Sequence, residues 1–128
     1  MTGILGLGLD LIDLQHFAVH YGDFDPELLA RCFTDREISD AGFDADRLAR
    51  LAGRFAVKEA TYKALGGTSS VAHLDIETVA DGAGAPQVRL SGAASEMAKA
   101  RGVTTFLVSI SHSGSVAAAV VIACADRA

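Results

Sequence analysis

The chain has no tryptophan, two prolines and two cysteines among its 128 residues. With only Cys32 and Cys124, far apart and outside any metal-ligand spacing, neither a disulfide framework nor a zinc site is indicated, and a reduced cytoplasm fits. Linkers, low-complexity tails and internal repeats are also missing. Half of the residues are apolar, so the expectation is a single globular domain over residues 1–128 with a real core. Met1 to Leu9 carries no positive charge and runs directly into Asp10, which argues against a secretory signal. From Gly102 to Ala125 there is no Asp, Glu, Lys or Arg, a length that imitates a membrane span. The imitation fails at Ser109 to Ser115, read as a polar turn between two strands of a β-branched hairpin.

Acid outweighs base, with a formal net charge of −5, which disfavours nucleic acid and membrane surfaces as partners. The bases are unevenly spread, however. Seven of the eleven Lys and Arg residues lie between Arg31 and Lys63, so one region can hold phosphates within an acidic molecule.

The chain is organised around the stretch RFAVKEATYKALGG, Arg54 to Gly67. Apolar spacing of three and four extends this helix upstream to about Asp46, with Asp44 or Asp46 as cap and Gly66 and Gly67 as the left-handed stop. Successive 100° steps put Arg47, Arg50, Arg54 and Lys58 in a basic stripe and Leu48, Leu51, Phe55 and Tyr62 in a buried one. Glu59 falls inside the buried stripe. A carboxylate there must be paired, protonated or bound to a cation, because desolvating an unpaired charge is too costly. An intrahelical pair with Lys63 is the simplest partner, but a surface pair needs no place among apolar residues.

A first strand is expected from Gly3 to Leu9, where Leu5, Leu7 and Leu9 alternate with Gly6 and Gly8. Period two places Gly6, Gly8 and Asp10 on one face, and paired glycines let another backbone approach closely. A helix packed there could present Glu59 to Asp10. Equally, Asp10 could cap the helix that begins near Asp13 and turns Leu14, Phe17 and Ala18 inward. Pro26 opens a short helix capped by Asp25, with Leu28 and Leu29 inward. Thr34-Asp35-Arg36-Glu37 is a capping box for another that ends near Gly42. His73 to Ala80 and Gln87 to Leu90 read as strands around the glycine-rich turn Asp81 to Pro86, and Ser91 caps a helix stopping at Gly102. The last hairpin, Thr104 to Cys124, is apolar on both faces except at its tip, so part of it is expected to meet another copy.

Taken together, Gly6-Leu7-Gly8-Leu9-Asp10-Leu11, Phe33-Thr34 with Glu37, RFAVKEATYKALG, Gly84-Ala85-Pro86 and Ser109-Ile110-Ser111-His112 resemble the 4'-phosphopantetheinyl transferases of the holo-acyl-carrier-protein synthase type. The resemblance implies an α+β fold, with a small antiparallel sheet and a long central helix, assembling as a homotrimer with active sites between subunits. It also implies Mg²⁺, coenzyme A as donor, and a serine of an apo acyl carrier protein, or of a carrier domain of a fatty-acid synthase, as acceptor. Matching the family motif, Asp10 and Glu59 would be the metal ligands and Glu59 a candidate base. Lys63 would act at the pyrophosphate. Arg54 and Lys58 would lie near coenzyme A phosphates, His112 would reach a phosphate from the neighbouring subunit, and Gly84 and Pro86 would border the adenine.

The chemistry suits these residue types. Mg²⁺ takes a few carboxylates plus water and phosphate oxygens, and an ammonium one turn beyond Glu59 can stabilise or protonate a phosphate leaving group. Two departures stand out. His16 replaces the arginine the family usually carries six residues after the aspartate, which bears on carrier docking, and Ser113 stands where many relatives have an acid. Two other classes compete: a Mg²⁺-dependent nucleotide pyrophosphohydrolase and a noncatalytic oligomer that binds nucleotides or carriers. A hydrolase built on Ser111, His112 and Ser113 is disfavoured, because successive strand residues point to opposite faces.

Overall fold

In the computed structural model, residues 3–67, 70–80 and 85–126 are described. Strand β1 (Gly3–Asp13) leads into helices α1 (Leu14–Tyr21), α2 (Pro26–Cys32) and α3 (Asp35–Ala41), then the long helix α4 (Arg47–Ala64). A short 3-10 turn (His73–Asp75) precedes β2 (Ile76–Val79), followed by β3 (Gln87–Leu90), α5 (Gly92–Ala100), β4 (Thr105–Ser113) and β5 (Val116–Ala125). The strands form an antiparallel three-stranded sheet, β1-β5-β4, and a separate β2-β3 ribbon.

Two boundaries differ from expectation in ways that matter. Strand β1 continues to Asp13, so Asp10 is a strand residue opposite Ala119 and not a cap. Asp13 is the cap, its Oδ1 accepting from the amides of Gln15 and His16. The hairpin strands also run on through the polar tip, leaving Gly114 and Ser115 as the turn, with Gly114 at φ 58°. His112 therefore sits in β4 opposite Ala117, not in a loop. The Asp25 cap and the Thr34–Glu37 capping box form as their sequences predict. Leu28, expected inward, is exposed while Leu29 is buried.

One sheet face packs on α4, bringing Ala119, Val121 and Ala123 of β5 into a core with Ala56, Val57, Ala60 and Ala64. The approach is as close as backbones allow. A Cβ on Gly8 would lie 1.7 Å from the Ala60 carbonyl oxygen, and one on Gly6 would lie 1.9 Å from that of Ala64. The glycines on β1 and the alanines on α4 thus exist for each other.

That contact turns α4 about its axis relative to the stripes drawn from periodicity. Ala52, Ala56, Ala60, Ala64, Leu51, Val57 and Thr61 are buried along with Arg54 and Lys58, whereas Leu48, Phe55, Glu59 and Tyr62 lie on a half-exposed flank. Hydrophobic spacing weights large side chains, but here small ones decide, since only they let the helix lie on the strand. The other sheet face carries Leu7, Leu9, Leu11 and Leu107, each more than half exposed (63%, 57%, 65% and 61%). No described helix is long and apolar enough to cross a membrane.

Gly8→Ala should be severe and Gly3→Ala mild, because the first Cβ meets rigid backbone and the second meets nothing within 4 Å. Overpacking typically costs about 1–3 kcal/mol and more where the neighbour cannot move. Urea midpoints check this, with Gly8→Ala losing about 3 kcal/mol and Gly3→Ala staying near the parent.

Candidate active site

Where α4 crosses β1, two of the expected side chains, Asp10 and Lys63, meet. Lys63, in the last turn of α4, reaches across the glycine contact to donate to Asp10 Oδ1 (3.1 Å) and to the Leu9 carbonyl (2.9 Å). The Asp10 side chain is only 15% exposed, and its Oδ2 is buried without a hydrogen-bond partner. An orphaned carboxylate oxygen in a buried position costs about 1–3 kcal/mol or more unless something binds it. Glu59 lies one helical turn before Lys63. The intrahelical Glu59–Lys63 pair is replaced by two tertiary ones, since Lys63 goes to Asp10 and Glu59 Oε2 faces His73 Nε2 at 3.7 Å. Glu59 is 37% exposed, so it is not the buried acid that periodicity implied.

The donor set fits Mg²⁺. Asp10 and Glu59 offer hard oxygens, one of them unpartnered, and Mg²⁺ completes its shell with water and substrate oxygens rather than an all-protein cage. Among the described residues no group of three or more His, Cys, Asp or Glu is placed to hold a metal ion.

Lys58 is a correction. Expected on a solvent-facing basic stripe near phosphates, it is fully buried, and its ammonium donates to Glu37 Oε1 (2.7 Å) and to the carbonyls of His73 (2.9 Å) and Ile76 (2.5 Å). All three of its donors are used, so none is left for a ligand. Glu37 is equally buried, and its two oxygens also accept from the amides of Thr34 and Thr78. Thr34 in turn donates from Oγ1 to Glu77 Oε2. This network ties α3, α4 and β2 behind the site. The sequence marks Glu37 as half of a capping box and as part of the family resemblance, and nothing local announces its partner Lys58.

Arg54 is also largely buried (9% exposed). Its Nη1 donates to the Arg50 carbonyl and its Nε has no partner. Burial lowers its pKa, opposed by the nearby carboxylates of Asp40 and Glu37, but a guanidinium stays charged throughout the working range. His112 is exposed at the open end of the sheet. By strand alternation it shares the α4-facing side with Ile12 and Asp10, one row beyond the Asp10–Ala119 pair. Pro86 is half-buried just before β3, in the other ribbon. Gly84 lies outside the described residues. The Cys32 thiol is pushed up to about 11, chiefly by burial, which leaves it protonated and unreactive.

A family profile for the 4'-phosphopantetheinyl transferase superfamily matches residues 6–121. The chain is 42% identical to a holo-[acyl-carrier-protein] synthase of Solidesulfovibrio magneticus, covering 93% of this chain and 97% of that one. It is also similar to the solved acyl carrier protein synthase of Mycobacterium tuberculosis (38% identity, TM-score 0.72, 94% and 97% covered). A third likeness is to the Bacillus anthracis holo-(acyl-carrier-protein) synthase in complex with CoA (3',5'-ADP) (33% identity, TM-score 0.76, 96% and 98% covered).

Breaking the buried pair should cost about 3–5 kcal/mol, because a stranded charge remains in the interior. Lys58→Met is expected to lose that much in chemical denaturation. Adding Glu37→Gln to it should return part of the loss by neutralising the stranded carboxylate. A Lys58→Met protein as stable as its parent would remove the strut.

Proposed function

Given that the chain belongs to the 4'-phosphopantetheinyl transferase superfamily, we propose that it moves the 4'-phosphopantetheine arm of coenzyme A onto a serine of an apo acyl carrier protein or carrier domain, in the cytoplasm. The relatives named holo-[acyl-carrier-protein] synthase support this reading, as does a relative crystallised with CoA (3',5'-ADP). The observation that carries it is the Asp10 carboxylate, held on one oxygen by Lys63 and buried without a partner on the other.

The serine oxygen loses its proton and bonds to the β-phosphorus of coenzyme A. The bond from that phosphorus to the bridging oxygen breaks, and adenosine 3',5'-bisphosphate departs with the charge. Lys63, 51% exposed and anchored at the Leu9 carbonyl, is suited to stabilise the departing phosphate or lend it a proton. Glu59, half exposed, is the candidate to accept the serine proton. Asp10 and Glu59 would hold Mg²⁺, which when bound neutralises charge on the pyrophosphate oxygens. We assign Arg54, His112 and Pro86 to secondary contacts with the donor. Lys58 is withdrawn from that role and given a structural one.

The exposed leucines of the outer sheet face support self-association, since a patch of this kind seldom stays in water. A homotrimer with shared sites is what the family resemblance implies. Carrier docking through α1 would then involve His16, exposed on that helix.

Asp10→Ala and Glu59→Ala should each remove Mg²⁺-dependent mass gain on an apo carrier incubated with coenzyme A, while the circular dichroism spectrum stays that of the parent. Full transfer by either variant sinks the two-carboxylate site. Release of bisphosphate without carrier modification would point to a hydrolase instead.

Val120 lies between Leu9 and Ser109 at the centre of the leucine-rich face. Val120→Asp should lower the sedimenting mass and the transfer rate together. A parent protein that sediments as a fully active monomer would contradict shared sites.

A further inference from the structure

Resting on the two-carboxylate reading above, we infer that His73 is a positioning residue for Glu59, holding one carboxylate oxygen so that the other is presented to the cation. Lys58 and Glu59 lie three and four residues after Phe55, so each neighbours Phe55 on the surface of α4. His73 is engaged by all three. Its ring stacks on Phe55 with centroids 5.2 Å apart and planes 27° from parallel. Its carbonyl accepts from Lys58 Nζ at 2.9 Å, and its Nε2 stands 3.7 Å from Glu59 Oε2.

The constraint on His73 is stronger than its 43% side-chain exposure suggests. Lys58 is buried and bound at all three donors, so it fixes the backbone of residue 73 to the helix. Phe55 then fixes the plane of the ring. The imidazole nitrogen therefore meets Glu59 from a defined point.

Glu59, by contrast, has several freely rotating bonds, and ordering such a side chain costs up to about 2 kcal/mol. A ring N–H at a fixed point takes on part of that ordering before any ligand arrives. With its proton on Nε2, the ring would donate to Oε2 once the contact shortens, leaving Oε1 for the cation. At 3.7 Å the contact is longer than a hydrogen bond, and contacts of this kind tighten when the site fills.

Two substitutions separate the nitrogen from the packing. His73→Phe keeps the stack on Phe55 and removes the donor, and His73→Gln restores a donor on a side chain of similar reach. Binding of Mn²⁺ to the whole protein, followed by the electron paramagnetic resonance signal of the free ion, reads the site without turnover. Loss of an outer-shell partner typically weakens metal affinity about 10–100-fold, and the low end is expected for His73→Phe, with His73→Gln recovering most of it. In transfer assays the same variant should lose kcat with little change in KM for coenzyme A, and its thermal midpoint should match the parent's. Mn²⁺ affinity unchanged in His73→Phe, or no better in His73→Gln than in His73→Phe, overturns the role. Glu59→Ala separates the two ways of failing. If it binds Mn²⁺ like the parent, the carboxylate site is wrong and the role of His73 falls with it. If it loses Mn²⁺ while His73→Phe keeps it, His73 alone is misassigned.

Discussion

The structure depends on one backbone contact, α4 lying against β1 with no side chain between them. Gly6 and Gly8 leave room for the carbonyls of Ala64 and Ala60, which a Cβ on either glycine would strike at under 2 Å. A helix this close cannot slide or roll without colliding, since both surfaces are backbone. Its consequence is positional. Lys63, one turn past Glu59, falls within reach of Asp10 and of the Leu9 carbonyl only because helix and strand touch. The chemistry proposed here therefore stands on rigid elements, where geometry is held better than on loops.

A second constraint acts from behind. Lys58 and Glu37 are fully buried, and their network of backbone acceptors and donors binds α3, α4 and β2 into one unit. Buried pairs are poor sources of net stability, because desolvation offsets most of the attraction. They do fix how the three elements meet, since separating either partner would strand a buried charge. The pair also carries the 3-10 turn to the helix, and with it His73 to the flank of Glu59. A lysine that periodicity assigns to ligand binding thus serves the site indirectly, by deciding where another residue stands.

The two faces of the sheet show how differently one strand can be used. Toward α4, β1 is glycine and then aspartate. Away from it, Leu7, Leu9 and Leu11 are all more than half exposed. The inner side is built for contact within the chain, and the outer side is left uncovered by it. Asp10 belongs to the inner side, paired in the strand and held by Lys63.

Much of this was legible locally. The glycine alternation in β1, the span of α4, the Asp25 cap, the Thr34–Glu37 box and the terminal hairpin follow from period and capping, which involve neighbours a few residues apart. Asp10, Glu59 and Lys63 could be singled out for the same reason: an acid beside paired glycines, and an acid and a base one helical turn apart. The sequence by itself therefore determined most of the elements and marked these three side chains, of which Asp10 and Lys63 meet at the α4–β1 crossing. Which side of α4 is buried was decided by tertiary structure, since alanine against glycine outweighs leucine spacing once a strand is there to receive it. So were the partners. Lys63 took a carboxylate 53 residues away over one four residues away, and Lys58 took one 21 residues away over solvent. Periodicity carries no record of such distances, because a charge chooses its partner by position in space and by the water it must give up to reach it.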